Sequence, residues 1–206
     1  MVSEKLAIAV NMHRESPEQI EECVSKIQMN MPKAKFIVFA NDSNKNMDDV
    51  CINRGVKLVK CENYGNNQQW YLWWKRMLEW FLYTERPYFL KLDPDTMVDR
   101  EPKFIPSADY FGTIEDWFIQ GGCTGISRKL AIKIISENKL TEKIAKNINV
   151  KSSAFADDKY LAKTILKMGF CCASWSEIKS RWRIPIKNEY NKFAIVHPRY
   201  IKTGNN

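Results

Sequence analysis

Two aspartates separated by one proline are the residues of this sequence best suited to chemistry. Asp93 and Asp95 follow Tyr88 to Leu92, a short apolar run that is typical of a buried β-strand. Ligands of open α/β sheets collect beyond the carboxyl ends of the strands, and two carboxylates there suit a hard divalent cation that also holds a diphosphate. A simple acidic turn, shaped by Pro94 and capped by Asp95, is the alternative.

The segments ahead of the two aspartates predict an α/β fold with a mostly parallel central sheet flanked by helices. Strands are predicted at Leu6 to Met12, Lys35 to Ala40, Val56 to Cys61 and Tyr88 to Leu92. The first helix is predicted to begin after Ser16, because a serine cap is followed by proline. Helices between successive strands are what a parallel sheet needs to cover its faces.

A long helix from about Asn67 to Tyr83 is predicted ahead of the fourth strand. Its apolar residues keep the spacing of three and four that is typical of a buried face: Trp70, Trp73, Trp74, Met77, Leu78 and Phe81. A sugar-binding aromatic platform is the alternative, but helical spacing favours packing in the core.

The second half of the chain is less regular, since prolines interrupt it after the fourth strand. The elements predicted there are strands at Tyr110 to Ile114 and Trp117 to Gln120, a turn at Gly121, Gly122 and Gly125, helices at Arg128 to Glu137 and Asp157 to Met168, and a strand at Phe193 to Val196.

Length and composition set the class of protein. The 206 residues, 45% of them hydrophobic, suffice for one compact domain, so residues 1–206 are expected to form a single domain. The six cysteines lack metal-ligand spacings, which favours reduced thiols and a cytoplasmic protein. No apolar run at the start is long enough to span a bilayer, so no membrane span is expected. The formal charge of +8 suits an anionic ligand without identifying it.

Together these features resemble the GT-A glycosyltransferases, whose nucleotide-binding sheet carries an Asp-x-Asp motif after the fourth strand. The resemblance spans most of the chain and implies transfer of a hexose or deoxyhexose from a UDP-sugar to a glycan acceptor. It also implies that Asp93 and Asp95 bind Mn2+ or Mg2+, which would assist the departure of UDP. The chain is short for this family, which implies that another domain of a larger protein, or a partner, recognises the acceptor. Its general look is similar to glycosyltransferases of large DNA viruses that infect algae, which would place it in the host cytoplasm.

The resemblance assigns the nucleotide to residues that follow the first two strands. In this family the donor lies across the amino-terminal strands, which implies that Val10, Asn11 and Met12 contact the base or ribose. Asp42, in the segment Asn41-Asp42-Ser43, would meet the uracil. An Asx turn is the alternative interpretation of Asp42.

Other donor contacts are implied further along the chain. Arg76 is similar in position to a basic residue that binds the donor in some members, although a solvated helix face also explains it. Gly121 and Gly122 resemble a glycine-bearing segment that approaches the donor sugar, since glycine permits close backbone approach. Arg199 and Lys202 are candidates for binding the diphosphate.

Three residues of the second half complete the implied site. Asp157 and Asp158 resemble the acidic pair of inverting members, in which the second carboxylate deprotonates the acceptor hydroxyl. Helix capping is the alternative for this pair. His197 resembles a carboxy-terminal histidine that completes the metal site in some members, and imidazole suits Mn2+ better than Mg2+. A structural role is the alternative for this histidine, whereas ligation by it would favour a retaining mechanism.

Two other classes of protein compete with this interpretation. A phosphatase of the haloacid dehalogenase class also pairs aspartates at a strand end and uses a later acidic pair, roles that Asp93, Asp95, Asp157 and Asp158 would fill. That motif normally opens its domain, whereas Asp93 has a long α/β segment ahead of it. A basic nucleic-acid-binding module fits the charge, but no recognisable motif supports it and we expect no nucleic-acid partner.

Overall fold

A computed structural model describes residues 1–12, 15–41, 45–61, 70–142, 156–180 and 192–197. The strands are β1 (Leu6–Met12), β2 (Lys35–Asn41), β3 (Lys57–Cys61), β4 (Tyr88–Leu92), β5 (Met97–Val98), β6 (Tyr110–Glu115), β7 (Phe118–Ser127), β8 (Cys172–Ser174), β9 (Ile178–Ser180) and β10 (Ile195–His197). The helices are α1 (Pro17–Asn30), α2 (Lys45–Asn53), α3 (Trp70–Tyr83), α4 (Arg128–Ser136) and α5 (Ala156–Lys167).

A seven-stranded sheet in the order β3-β2-β1-β4-β7-β6-β8 forms the centre of the fold. Six of its strands run in one direction, and β7 runs against its neighbours β4 and β6. A smaller sheet in the order β5-β10-β9 stands beside it. The predicted α/β class with a mostly parallel central sheet is therefore confirmed.

Both faces of the central sheet are covered by apolar side chains. Along β1, Ala7 and Ala9 join a cluster with α3, α4 and α5, whereas Leu6, Ile8 and Val10 join a second cluster with α1 and α2. A strand that is buried on both faces needs an almost continuous apolar sequence, which explains the pattern of β1.

The start of α1 and the buried face of α3 agree with the sequence patterns that predicted them. Ser16 caps α1, since its hydroxyl oxygen accepts a hydrogen bond from the Gln19 N–H at 3.3 Å. Five residues of the predicted stripe on α3 are core, namely Trp73, Trp74, Met77, Leu78 and Phe81, and the side chain of Trp70 falls outside the described residues. The helix α2 and the strands β5, β8 and β9 were not predicted; the three strands have only two or three residues each, too few for a periodic pattern.

The predicted turn at Gly121, Gly122 and Gly125 is wrong, because all three glycines lie inside the ten-residue strand β7. None of them has the positive φ that would mark a glycine turn. Glycine is needed at these three positions because side chains from other elements pack directly against the backbone of β7, where a Cβ atom would otherwise lie. At Gly125, for example, an added Cβ would overlap the ring of Phe111.

All six cysteines are free thiols in the structure. Burial raises the pKa of the Cys23 and Cys123 thiols, so both remain protonated near neutral pH. Within the described part of the chain, no helix has the length and apolar character that a membrane crossing requires.

Candidate metal and donor site

Three side chains from distant parts of the sequence meet at the carboxyl end of β4. Asp93 and Asp95 follow β4 directly, and His197 is the last residue of β10. One ligand atom from each lies within 4.8 Å of the others. The Nε2 atom of His197 is 3.1 Å from Asp95 Oδ1 and 3.6 Å from Asp93 Oδ2. We call this group the Asp93–Asp95–His197 cluster.

Hydrogen bonds to β7 hold the turn that carries the two aspartates. The Asp93 N–H donates to the Gly122 carbonyl at 3.1 Å, and the Thr96 N–H donates to the Asp93 carbonyl at 3.0 Å. The buried Thr96 hydroxyl donates to the same Gly122 carbonyl at 2.6 Å. The turn is thus held by backbone groups and by the Thr96 hydroxyl.

Lys91 is a member of the site that the sequence analysis missed. Its side chain is only 3% exposed, and its Nζ lies 2.5 Å from Asp93 Oδ1 and 2.8 Å from the Gly121 carbonyl. Lysine is almost never buried unless it is paired, so a lysine within the apolar run of β4 was the available signal. The ammonium group holds one oxygen of Asp93, and the other oxygen faces His197.

The electrostatics of the cluster keep Asp95 ionised. Burial raises the pKa of its carboxyl group, but the hydrogen bond and electrostatic interaction with His197, a backbone N–H and Lys91 more than offset this. The net pKa of Asp95 is therefore below its ordinary value. A carboxylate that stays charged at neutral pH is the form that a cation requires.

The chemistry of the cluster fits a divalent cation. Carboxylate oxygens suit Mg2+ and Mn2+, and the imidazole nitrogen favours Mn2+ of the two. Two carboxylates this close together also repel each other, and a cation between them would remove that repulsion.

Neighbouring glycines of β7 make room for a side chain from another element on each side of the strand. An added Cβ on Gly122 would overlap the His197 ring, and one on Gly121 would overlap the Asp158 carboxylate. Asp158 is 6% exposed, and its Oδ2 accepts a hydrogen bond from the Gly121 N–H at 2.8 Å. These glycines therefore serve close approach, here of the protein's own side chains.

The three residues expected to contact the nucleotide base or ribose differ in how deeply their side chains are buried. The side chains of Val10 and Met12 are fully buried, so donor contacts from these two residues would have to involve the backbone. Asn11 is partly buried, and its side-chain oxygen accepts a hydrogen bond from the indole N–H of Trp73 on α3.

Arg76 is exposed on α3 and interacts with Cys61 at the end of β3. Burial raises the pKa of the Cys61 thiol, and Arg76 partly counteracts this effect. Since β2 and β1 separate β3 from β4, Cys61 lies about 14 Å across the sheet from the end of β4. Four other predicted site features fall outside the described residues: Asp42, Arg199, Lys202 and the side chain of Asp157.

The sheet and its helices form a mostly parallel α/β fold of a kind that is also found in a glycosyltransferase of known structure. Among solved structures, the chain is similar to a mannosyltransferase from Pyrobaculum calidifontis in complex with GDP-mannose and Mn2+. The TM-score is 0.53 at 14% sequence identity, and the match covers 83% of this chain and 54% of the other. The chain thus spans about half the length of this mannosyltransferase.

The sequence itself matches no protein-family model, and no match was found among curated proteins. The similarity at 14% identity therefore establishes the fold. It gives no support to a viral source, and the donor in the matched structure carries guanosine, whereas the resemblance to the GT-A glycosyltransferases implied a uridine donor.

Proposed function

We propose that this protein is a metal-dependent glycosyltransferase that moves a sugar from a nucleotide-sugar donor to a glycan acceptor. The observation that carries the proposal is the Asp93–Asp95–His197 cluster at the carboxyl end of β4, where α/β sheets bind their ligands. In this proposal the three residues hold Mn2+ or Mg2+, and Lys91 orients Asp93. The bound cation supplies Lewis-acid stabilisation of the departing nucleoside diphosphate.

The proposed base is Asp158, assisted by its neighbour Asp157. Asp158 accepts a hydrogen bond from the Gly121 N–H, next to the glycine of β7 that accommodates His197 on the other side of the strand. Its role is to take the proton of the acceptor hydroxyl.

The proposed donor is a UDP-sugar that carries a hexose or a deoxyhexose. This assignment rests on the expected contact of Asp42 with uracil. We also expect Asn11, near the end of β1, to contact the base or ribose, and the donor to be bound by the cationic residues Arg76, Arg199 and Lys202. A GDP-sugar is the alternative, because the matched mannosyltransferase holds GDP-mannose.

Donor binding is expected to require a divalent cation. Titration calorimetry with UDP-glucose, UDP-deoxyhexoses and GDP-mannose should show binding in Mn2+ or Mg2+ and none with excess chelator, because the diphosphate would otherwise face uncompensated carboxylates. Slow hydrolysis of the same panel without acceptor identifies the true donor. Equal affinity with and without chelator would rule out the proposed metal role.

The phosphatase alternative is less compatible with this geometry. In that class the later acidic pair would share a Mg2+ with Asp93, but among the side chains that the structure describes the residues grouped around Asp93 are Asp95 and His197. The Asp158 carboxylate instead accepts a hydrogen bond from the Gly121 N–H.

Replacing His197 with alanine is expected to weaken Mn2+ binding without preventing folding. The Mn2+ concentration for half-maximal activity should rise at least about tenfold, and excess Mn2+ should recover part of the rate because both carboxylates remain. His13→Ala is the control, since it alters the other histidine of the chain and should keep the wild-type metal requirement. An unchanged requirement in His197→Ala would show that the imidazole is structural.

A further inference from the structure

We propose that Gln120 and Ser180 hold a proton on Nδ1 of His197 and thereby direct its Nε2 toward Asp93 and Asp95 as a metal-binding atom. The metal part of this inference rests on the proposed function, whereas the position of the proton does not. The three side chains come from β7, β9 and β10, and all are buried. Water therefore competes little with the hydrogen bonds among them.

The direction of the hydrogen bonds is set by a backbone group that can only donate. The Gly122 N–H donates to a side-chain atom of Gln120 at 3.0 Å. Because an amide nitrogen cannot accept this bond, the atom must be the oxygen Oε1. The orientation of the Gln120 amide therefore follows from the position of Gly122 in β7.

The hydrogen bond of Ser180 to Gln120 determines which atom donates in the bond between Ser180 and His197. Its hydroxyl contacts the same Gln120 Oε1, which accepts, so the single hydroxyl proton of Ser180 is donated there. Nδ1 of His197 lies 2.9 Å from the Ser180 oxygen. Since the serine has no second proton to give, Nδ1 must carry the proton of this bond.

The remaining ring nitrogen is thereby assigned to the Asp93–Asp95–His197 cluster. When Nδ1 carries the proton of a neutral ring, Nε2 presents a lone pair. Nε2 lies 3.1 and 3.6 Å from carboxylate oxygens, so without a cation it shares a proton with Asp95, and a cation bound there would replace this proton and meet the Nε2 lone pair. Histidine ligands of metals typically donate their other N–H to a fixed acceptor, and the Ser180 oxygen is such an acceptor.

The backbone fixes the ring in place as well. Ser180 and His197 are directly paired between β9 and β10, and the Ser180 N–H donates to the Thr113 hydroxyl oxygen at 3.0 Å. An added Cβ on Gly122 would overlap the imidazole, so the ring lies against the backbone of β7. Gln120 and Ser180 are therefore positioning residues that act through His197.

Nitrogen-15 NMR of the histidine rings tests the proton position directly. The chain has two histidines, so His13→Gln leaves the His197 ring as the only source of signals. We expect Nδ1 to be protonated both in metal-free protein and at saturating Mg2+. In Gln120→Leu, the Ser180 proton is free to point at the ring, so the preferred tautomer of the neutral His197 ring should shift toward the one with its proton on Nε2. An unprotonated Nδ1 in the His13→Gln protein would overturn the proposal without any further variant.

Manganese affinity, measured by the electron paramagnetic resonance of free Mn2+, supplies the second readout. Ser180→Ala should raise the Kd by about tenfold or more, the usual effect of losing a partner of a histidine ligand. Ser180→Thr keeps the hydroxyl and should restore most of the affinity, while Ser136→Ala on α4 is a neutral control. Wild-type affinity and an unchanged Nδ1 signal in Ser180→Ala would refute the proposal while leaving the proposed function intact. If the wild type binds no Mn2+, the proposed function and the metal part fail, and the NMR signal still decides the proton position.

Discussion

The variant Asp95→Ala should lose transfer by on the order of a thousandfold while keeping its fold. Asp95 is partly exposed and contributes a charged oxygen to the cluster, so its removal leaves the hydrophobic core unchanged. Without bound metal, the variant should melt near the wild-type Tm. In Mn2+ at a hundred times its Kd, the wild type should gain about 2.7 kcal/mol of stability, and the variant should gain almost none. Initial rates and thermal melts with and without Mn2+ measure both effects.

Asp99→Ala is the matched control for this experiment. Asp99 lies four residues further on, is not one of the three residues of the cluster, and pairs with Lys26 of α1 at 3.4 Å. Loss of this partly exposed ion pair should cost at most about 1 kcal/mol of stability and leave the response to Mn2+ unchanged. Near-normal turnover of Asp95→Ala would mean that the metal site lies elsewhere.

The variant Asp158→Asn should lower turnover by about a hundredfold or more while donor and metal affinities stay close to wild type. An amide oxygen can still accept the Gly121 N–H, so the strand contact survives, whereas the amide cannot take a proton from the acceptor. Rates at saturating donor and Mn2+, together with calorimetry of both ligands, separate the chemical step from binding.

Asp109→Asn controls for the loss of a carboxylate anchored to the same strand. Asp109 accepts a hydrogen bond from Ser127 at the other end of β7, and this variant should retain wild-type turnover. If Asp158→Asn is fully active while His197→Ala shows the metal defect, Asp158 is only a structural anchor. A retaining mechanism without a dedicated base then becomes the hypothesis, and the anomeric configuration of the product decides it.

The sequence alone was sufficient for the parts of the fold that depend on local pattern. The first and fourth strands were predicted with the bounds that β1 and β4 have, because strands buried on both faces are continuous apolar runs. Ser16 with the following proline located the start of α1. Asp93 and Asp95 could be selected as candidate ligands, since chemistry beyond the carboxyl end of a strand follows from fold class.

Only the tertiary structure decided how the second half completes the site. The approach of His197 to the aspartates depends on the pairing of β10 with β5 and β9, long-range contacts that leave no local periodicity. The three glycines were interpreted as a turn. Glycine is needed there because the side chains of His197, Asp158 and Phe111, which are distant in sequence, pack against β7 where a Cβ would lie. For the same reason, the hydrogen bond of Lys91 to the Gly121 carbonyl and the hydrogen bonds of Gln120 and Ser180 became visible only once strands distant in sequence were side by side.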